Sequence, residues 1–428
     1  MKYLILVPDG AADRTGGPLG DKTPLETAHM PTITRLAQRG EVGFVRTIPE
    51  GIPPGSDAAN LAVMGYDPEC DLTGRSPLEA VSMGIEMSKT DVAFRTNLVT
   101  LSEDENVPYE QRRIIDHSSG DIDTEEGRTL IEFIDKEIGS GDPANSGRLR
   151  FYPGISYRHA LIITEGSVTA SGINDVYKEH KDYLLTPPHD ILTRRIEDYL
   201  PKGEGSEFIL SLMRKSYGLL RNHPVNVKRR ERGERSADSI WIWGQGIKPE
   251  LAPFNEKYGV DGRVISAVDL IKGIGLCAGL DCVEVEGATG TIKTNFEAKA
   301  FKAIDAFRSG KNFVYIHVEA PDECAHQGDA EGKVLSLEYI DRRLLRHLIE
   351  FLDSDGEDYR VLILPDHRTP LSIRTHSSEP VPFVLYDSRW AGAEPNPDNA
   401  FTERSAESGK LYEHGSELAD HFFGGSGL

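Results

Sequence analysis

The chain of 428 residues contains no run of about 18 apolar residues, the length that a membrane-spanning helix requires. Its opening apolar stretch, residues 3–7, stops at Pro8, too early for the core of a signal peptide. No membrane partner is expected, and the expected location is the cytoplasm. Cysteine is scarce: Cys70, Cys277, Cys282 and Cys324 are scattered and form no Cys-x-x-Cys pair. That gives no disulfide or zinc-finger framework and suits a reducing compartment. Positive charge is also short. With 48 Lys and Arg against 69 Asp and Glu, the net charge of −21 argues against a nucleic-acid partner. There is no G-x-x-x-x-G-K-[ST] phosphate loop, no internal repeat and no long low-complexity segment. The terminal Gly-Gly-Ser-Gly-Leu reads as a flexible tail.

What is present is ordinary for a globular chain: 38% hydrophobic and 27% charged residues, with length enough for two domains. Strands are expected at residues 2–7 and 42–47, and helices at 31–39, 57–64 and 78–84. From about residue 89 the texture changes. Residues 92–101 alternate like an antiparallel strand, residues 124–138 form an amphipathic helix, and strands follow at 148–152 and 158–164. Strand–helix alternation then returns, with a helix at 208–220, a strand at 240–243, and helices at 266–278, 296–307 and 334–352. Strands at 313–318, 361–364 and 384–386 complete it. The expected fold is α/β, a mostly parallel sheet flanked by helices with an inserted smaller α+β domain. The expected domains are 1–88 with 200–428, and 89–199.

Chemistry concentrates where buried strands end. Residues 361–364 run into Pro365, Asp366 and His367, and His376 follows nine residues later. Carboxylate oxygen and imidazole nitrogen converging from a rigid strand end are what a metal ion takes; a chance Asp-His pair in a loop is the plainer alternative. Asp9 follows the first strand and is either a ligand or a turn residue. Asp322 and His326 follow the strand at 313–318 and share a helix face if a helix starts near Pro321. Ser56 follows Pro-Pro-Gly at a helix start, where an N-cap is the commoner role. Taken together, three strand-end aspartates, nearby histidines and a serine at a helix N-terminus are the parts of a two-metal phosphoryl-transfer site. The basic run Lys228, Arg229 and Arg230, with Arg232 and Arg235, is either a local anion site or a solvated face.

The stretches VPDG, PPGSDAANLAVMGYDP, EAPDECAH and LPDH…RTHSSEPVPF resemble cofactor-independent phosphoglycerate mutases of the archaeal type, within the alkaline phosphatase superfamily. The resemblance spans nearly the whole chain. It implies an alkaline-phosphatase-like sheet and a two-metal site for Mn, Mg, Zn or Co. Asp9, Ser56, Asp366 and His367 would hold one ion, and Asp322, His326 and His376 the other. It also implies that Ser56 becomes phosphoserine while 3-phosphoglycerate and 2-phosphoglycerate interconvert, and that the inserted domain closes over a small phosphorylated anion. His117 in DHSSG and Arg158-His159 in SYRH match positions expected to contact substrate. One motif departs: an Asp-Pro-His motif is replaced here by Thr186-Pro187-Pro188-His189-Asp190. Relatives with such a change resemble homoserine kinases, so His189 and Asp190 bear on which substrate is taken, as does Asp175. A homoserine kinase, or another phosphotransferase or phosphatase of the same superfamily, is the second reading; a non-catalytic metal-binding protein is the third, opposed by the full set of seven ligand candidates.

Overall fold

A computed structural model describes residues 1–103, 107–145, 147–164, 184–203 and 205–424. Asp175 lies outside them. The chain divides into two compact units, Met1–Leu72 with Glu250–Leu428, and Thr73–Pro249. Among the described residues no helix is long and apolar enough to cross a membrane.

The first unit is built on an eight-stranded sheet. Its strands are β1 (Lys2–Pro8), β2 (Glu41–Val45), β8 (Gly262–Ile265), β9 (Asp281–Cys282), β10 (Phe313–Val318), β11 (Tyr359–Ile363), β12 (Val381–Asp387) and β13 (Lys410–Tyr412). They lie in the order β13-β2-β12-β11-β1-β10-β8-β9. β1 pairs in parallel with β10 on one side and β11 on the other, while β12 runs antiparallel to both its neighbours. The central strands are mainly apolar, as strands covered on both faces are; Leu4, Ile5, Leu6, Val314, Ile316, Val361 and Ile363 are fully buried. A mostly parallel sheet brings the carboxyl ends of β11, β1 and β10 side by side.

The helix expected at 334–352 is broken. Ala330–Tyr339 and Arg346–Asp355 are α-helical, and Ile340–Leu345 between them is a π turn. Asp341 in that turn accepts from the backbone N–H of Ile33 at 2.8 Å and of Thr32 at 3.2 Å. It thereby serves the N-terminus of the helix Pro31–Ala37, whose own N-cap, Met30, has no side-chain oxygen to offer.

The second unit holds β3 (Val92–Leu101), β4 (Ile114–Asp116), β5 (Leu149–Tyr152), β6 (Arg158–Ile163) and β7 (Ser239–Ile247). β3 pairs antiparallel with β6 and β7, and its end with β4. These pairings correct the limits read from the sequence. Residues 200–249 belong with the insertion because β7 hydrogen-bonds along β3, and the helix Ser206–Leu220 packs Ile209, Leu212 and Met213 into the same core as Phe94 and Leu161. The helix Arg75–Ser82 joins the unit by the opposite face of that sheet, where Ala80 meets Ala93, Ala160 and Ile162.

The basic run braces this unit. The guanidinium of buried Arg229 donates to Glu126 at 2.5 Å, to Ser119 O at 2.8 Å and to Arg235 O at 2.8 Å. Arg232 pairs with Glu126 and Glu234, and Arg235 with Asp116. The charges of Arg229, Arg232 and Arg235 are thus answered within the unit.

Candidate active site

All seven metal-ligand candidates of the first unit converge at the carboxyl edge of its sheet. Asp9 directly follows β1, and its backbone N–H donates to Val318 O at the end of β10. Asp322 and His326 lie one turn apart on the helix Ala320–Gln327, with His326 Nε2 3.1 Å from Asp322 Oδ2. Asp366 and His367 follow β11. The loop beyond them folds back, pairing Arg368 with Ser377, and returns His376 to the cluster. His376 Nε2 is 3.0 Å from His326 Nε2 and 3.6 Å from Asp322 Oδ1. His367 Nε2 lies 3.5 Å from Asp9 Oδ1, 3.5 Å from Asp366 Oδ2 and 3.1 Å from Ser56 Oγ.

Ser56 is not the N-cap. Gly55 holds that position, in an extended conformation, and Ser56 opens the helix Ser56–Val63. Its hydroxyl therefore faces His367 and is spent on no backbone N–H of its own helix. The helix N-terminus favours negative charge beside it.

Residues that the strand-end pattern does not single out orient this set. Asn60, four residues after Ser56 and on the same helix face, donates to Ser56 O and to Asp366 Oδ2, each at 2.8 Å. Its own oxygen accepts from Tyr315. Thr369 donates to Asp322 Oδ1 and lies 3.2 Å from His367 Nδ1. With its hydrogen given to Asp322, the Thr369 oxygen accepts from Nδ1–H, which leaves the His367 Nε2 lone pair facing Ser56 and Asp9. His326 Nδ1 lies 3.0 Å from Arg374 O, so it carries a proton, and Nε2 faces Asp322 and His376. Gly10, at φ +60°, donates to Asp366 Oδ1 at 3.2 Å. A Cβ there would fall 2.5 Å from Asp322 Oδ1 and 2.6 Å from Thr369 Oγ1, so only glycine fits.

The donor set fits divalent cations. Two donors about 2.1 Å from one ion and at right to tetrahedral angles lie roughly 3.0–3.4 Å apart, close to the separations observed here. Ligand atoms from Asp322, His367 and His376 lie within 4.8 Å of one another, as do those from Asp9, His317 and Asp366. The buried atoms Asp9 Oδ1 and His317 Nε2 have no hydrogen-bond partner. Burial, then repulsion from Asp366 and Asp322, pushes the Asp9 carboxyl far above its usual range. Burial also raises Glu319, to about 7, with Asp322 and Glu323 adding to the effect. Burial opposes the Asp322 carboxylate too, but hydrogen bonds from His326 and His376 outweigh it and hold its pKa low. Buried Asp9 and Asp366, close to one another and to the lone pair of His367, call for added positive charge.

In the second unit, four of the five substrate-contact candidates surround one aromatic patch. His117 sits edge-on to Tyr157 at 5.6 Å and to His189 at 6.1 Å, and His189 lies 5.4 Å from Trp243. Asp190 Oδ1 is 3.7 Å from His189 Nε2, and the Arg158 guanidinium lies 5.4 Å over Tyr157. Trp243 Nε1 donates to Asn97, which donates to His117 O. Arg95 lies over Trp243 and pairs with both oxygens of Glu79 through Nε and Nη2. His159 is not among them. The two-residue repeat of β6 turns it to the opposite face, buried, where its Nδ1 accepts from Gly154 N–H and burial lowers its pKa to about 3. Trp243 and Asn97 pass unnoticed in sequence because each reads as one more residue of a strand.

Residues 37–226 match the family described as 2,3-bisphosphoglycerate-independent phosphoglycerate mutase. A Methanosarcina barkeri protein of that name is 45% identical over 413 residues, 96% of each chain. The chain belongs to this family. A Geobacter sulfurreducens relative, named as a probable mutase of the same kind, is 44% identical over 98% of this chain and 99% of its own. The fold likewise matches a solved Pyrococcus horikoshii protein, with a TM-score of 0.78 and 27% identity, covering 100% of this chain and 98% of that one. The cofactor-independent phosphoglycerate mutase of Thermoplasma acidophilum shares the fold at a TM-score of 0.65 and 23% identity, covering 100% of both chains. The mostly parallel α/β sheet expected from sequence is thus the fold of this mutase family.

Proposed function

We propose that this family member interconverts 3-phosphoglycerate and 2-phosphoglycerate through a phosphoserine at Ser56, at a site holding two divalent ions. The observation that carries the reading is the uncapped Ser56 hydroxyl, 3.1 Å from His367 Nε2 at a helix N-terminus and beside Asp9 and Asp366. Asp9, Ser56, Asp366 and His367 would hold one ion, and Asp322, His326 and His376 the other. When bound, such ions supply charge neutralisation for the transferring phosphoryl group and favour the serine alkoxide. Ser56 Oγ gives up its proton and forms a bond to phosphorus, the bond from phosphorus to one glycerate oxygen breaks, and that oxygen takes up a proton, so the proton count is conserved. The reverse reaction at the neighbouring hydroxyl restores Ser56. The helix N–H groups beside Ser56 favour the charge that develops there. The second unit acts as the substrate-binding unit, with His117, Arg158, His189 and Asp190 as contacts.

One observation favours a second reading, a homoserine kinase. Asp190 lies beside His189, and the cation of Arg95 is answered by Glu79. An exposed carboxylate in such a patch suits a substrate ammonium better than a second anion. The deciding experiment is a pair of assays on Mn²⁺-loaded protein: isomerisation of 3-phosphoglycerate without nucleotide, and phosphorylation of homoserine with ATP. Isomerisation is expected. Homoserine phosphorylation without isomerisation would replace the mutase reading and leave Ser56 as the phosphoryl carrier.

A further inference from the structure

We propose that His317 is a ligand of the ion held by Asp9 and Asp366, an eighth protein ligand beyond the seven strand-end and helix-start residues. The inference rests on the two-ion reading above. His317 lies within β10, whose six residues are all buried, and is itself 1% exposed. A histidine in so apolar a strand needs partners for both ring nitrogens.

Its Nδ1 lies 3.4 Å from Ser266 Oγ, an oxygen that also accepts from Val268 N–H at 3.0 Å. A proton on Nδ1 donated to Ser266 leaves the Nε2 lone pair pointing to the site. Nε2 lies 3.1 Å from Asp9 Oδ2 and yet makes no hydrogen bond. Close approach without hydrogen-bond alignment is how two donors sit when they share an ion. The other oxygen of Asp9 faces His367 Nε2 at 3.5 Å and is also without a hydrogen bond. Asp9 is therefore flanked by two imidazoles, one on each oxygen. Asp366 completes a set of three donors within 4.8 Å of one another.

The strand end is fixed from behind. Lys299, 1% exposed, donates from its ammonium to His317 O at 3.0 Å. This anchors the residue without occupying its ring. A purely structural histidine would instead align Nε2–H on Asp9, which the observed geometry does not do.

The test is diffraction from crystals of the unaltered protein grown with Mn²⁺, locating the metal by anomalous scattering. The nearer peak is expected about 2.2 Å from His317 Nε2, an ordinary ligand distance. In solution, Mn²⁺ titration of His317→Leu and His317→Gln is expected to weaken one of two binding events by at least about tenfold, the scale for loss of a metal partner. The exposed substitution His421→Gln should leave both unchanged. Two ions bound with His317 Nε2 more than about 3 Å from each peak, well beyond ligand distance, would overturn this inference alone. Failure of the unaltered chain to take up two ions would overturn the two-ion reading and this inference with it.

Discussion

The ammonium of Lys333, fully buried, lies 2.9 Å from Asp13 Oδ2. It also donates to Thr369 O at 2.9 Å and to Ala12 O at 3.4 Å, so one side chain ties the loop after β1 to the loop after β11. Both loops carry ligand candidates. Asp13 spends its carboxylate on Lys333, Leu371 N–H and Arg14 N–H, while its own N–H donates to Glu403. Lys333→Met leaves the buried Asp13 carboxylate with backbone donors but no cation, and breaking such a buried pair costs about 3–5 kcal/mol. Urea unfolding is the measurement. A loss below about 1 kcal/mol, the range of a surface pair, would show that the tie is not stabilising.

Ser56→Ala should abolish turnover and leave the fold intact. Because Gly55 is the N-cap and Ser56 caps nothing, the change should cost less than the roughly 0.5–2 kcal/mol of a lost cap. Mass spectrometry of the unaltered enzyme with substrate should find phosphate on Ser56. Residual activity near normal in the alanine variant would rule out covalent transfer.

Asn60→Leu should damage both stability and activity. It removes the partner of buried Tyr315 OH and one donor to Asp366, each worth about 1–3 kcal/mol when left unsatisfied. Thermal melting should fall, and kcat should drop at saturating Mn²⁺ because Ser56 and Asp366 lose their common brace. Unchanged kcat in a folded variant would assign Asn60 to stability alone.

Asp387, at the end of β12, gives an acid limb to stability. Burial raises its pKa, but hydrogen bonds from Arg389 and Arg360 outweigh this and bring it to about 2. A depressed carboxylate contributes stability above its unfolded pKa near 3.8 and loses it as pH falls toward 2, here about 2 kcal/mol. The stability gap between the unaltered chain and Asp387→Asn should therefore close between about pH 4 and pH 2, the window those two values set. A gap constant across that window would show that the ion pairs add nothing.

The candidate metal site was legible because its parts sit at positions that strand periodicity marks. Apolar runs ending in Asp9 and Asp366, and the four-residue spacing of Asp322 and His326, needed only local rules. His317 was less visible because it lies within an apolar run, not beyond it. Asn60 was within reach of the same four-residue helix spacing from Ser56. The N-cap reading of Ser56 failed because sequence cannot say whether a hydroxyl turns to its own helix or to a histidine 311 positions away.

The sequence by itself determined the alternation of strands and helices, the strand-end ligand candidates, the helix-start serine and the family, because each depends on neighbours within a few residues. Only the tertiary structure decided where the second unit ends, since that turns on β7 pairing with β3 across 140 or more positions, the nearest pair being Val99 with Ser239. It also decided that Ser56 faces His367, that His159 turns away from its neighbour Arg158, and that Arg229, Arg232 and Arg235 pair with carboxylates of their own unit. Those outcomes depend on which distant groups compete for a side chain, and long-range packing settles that competition.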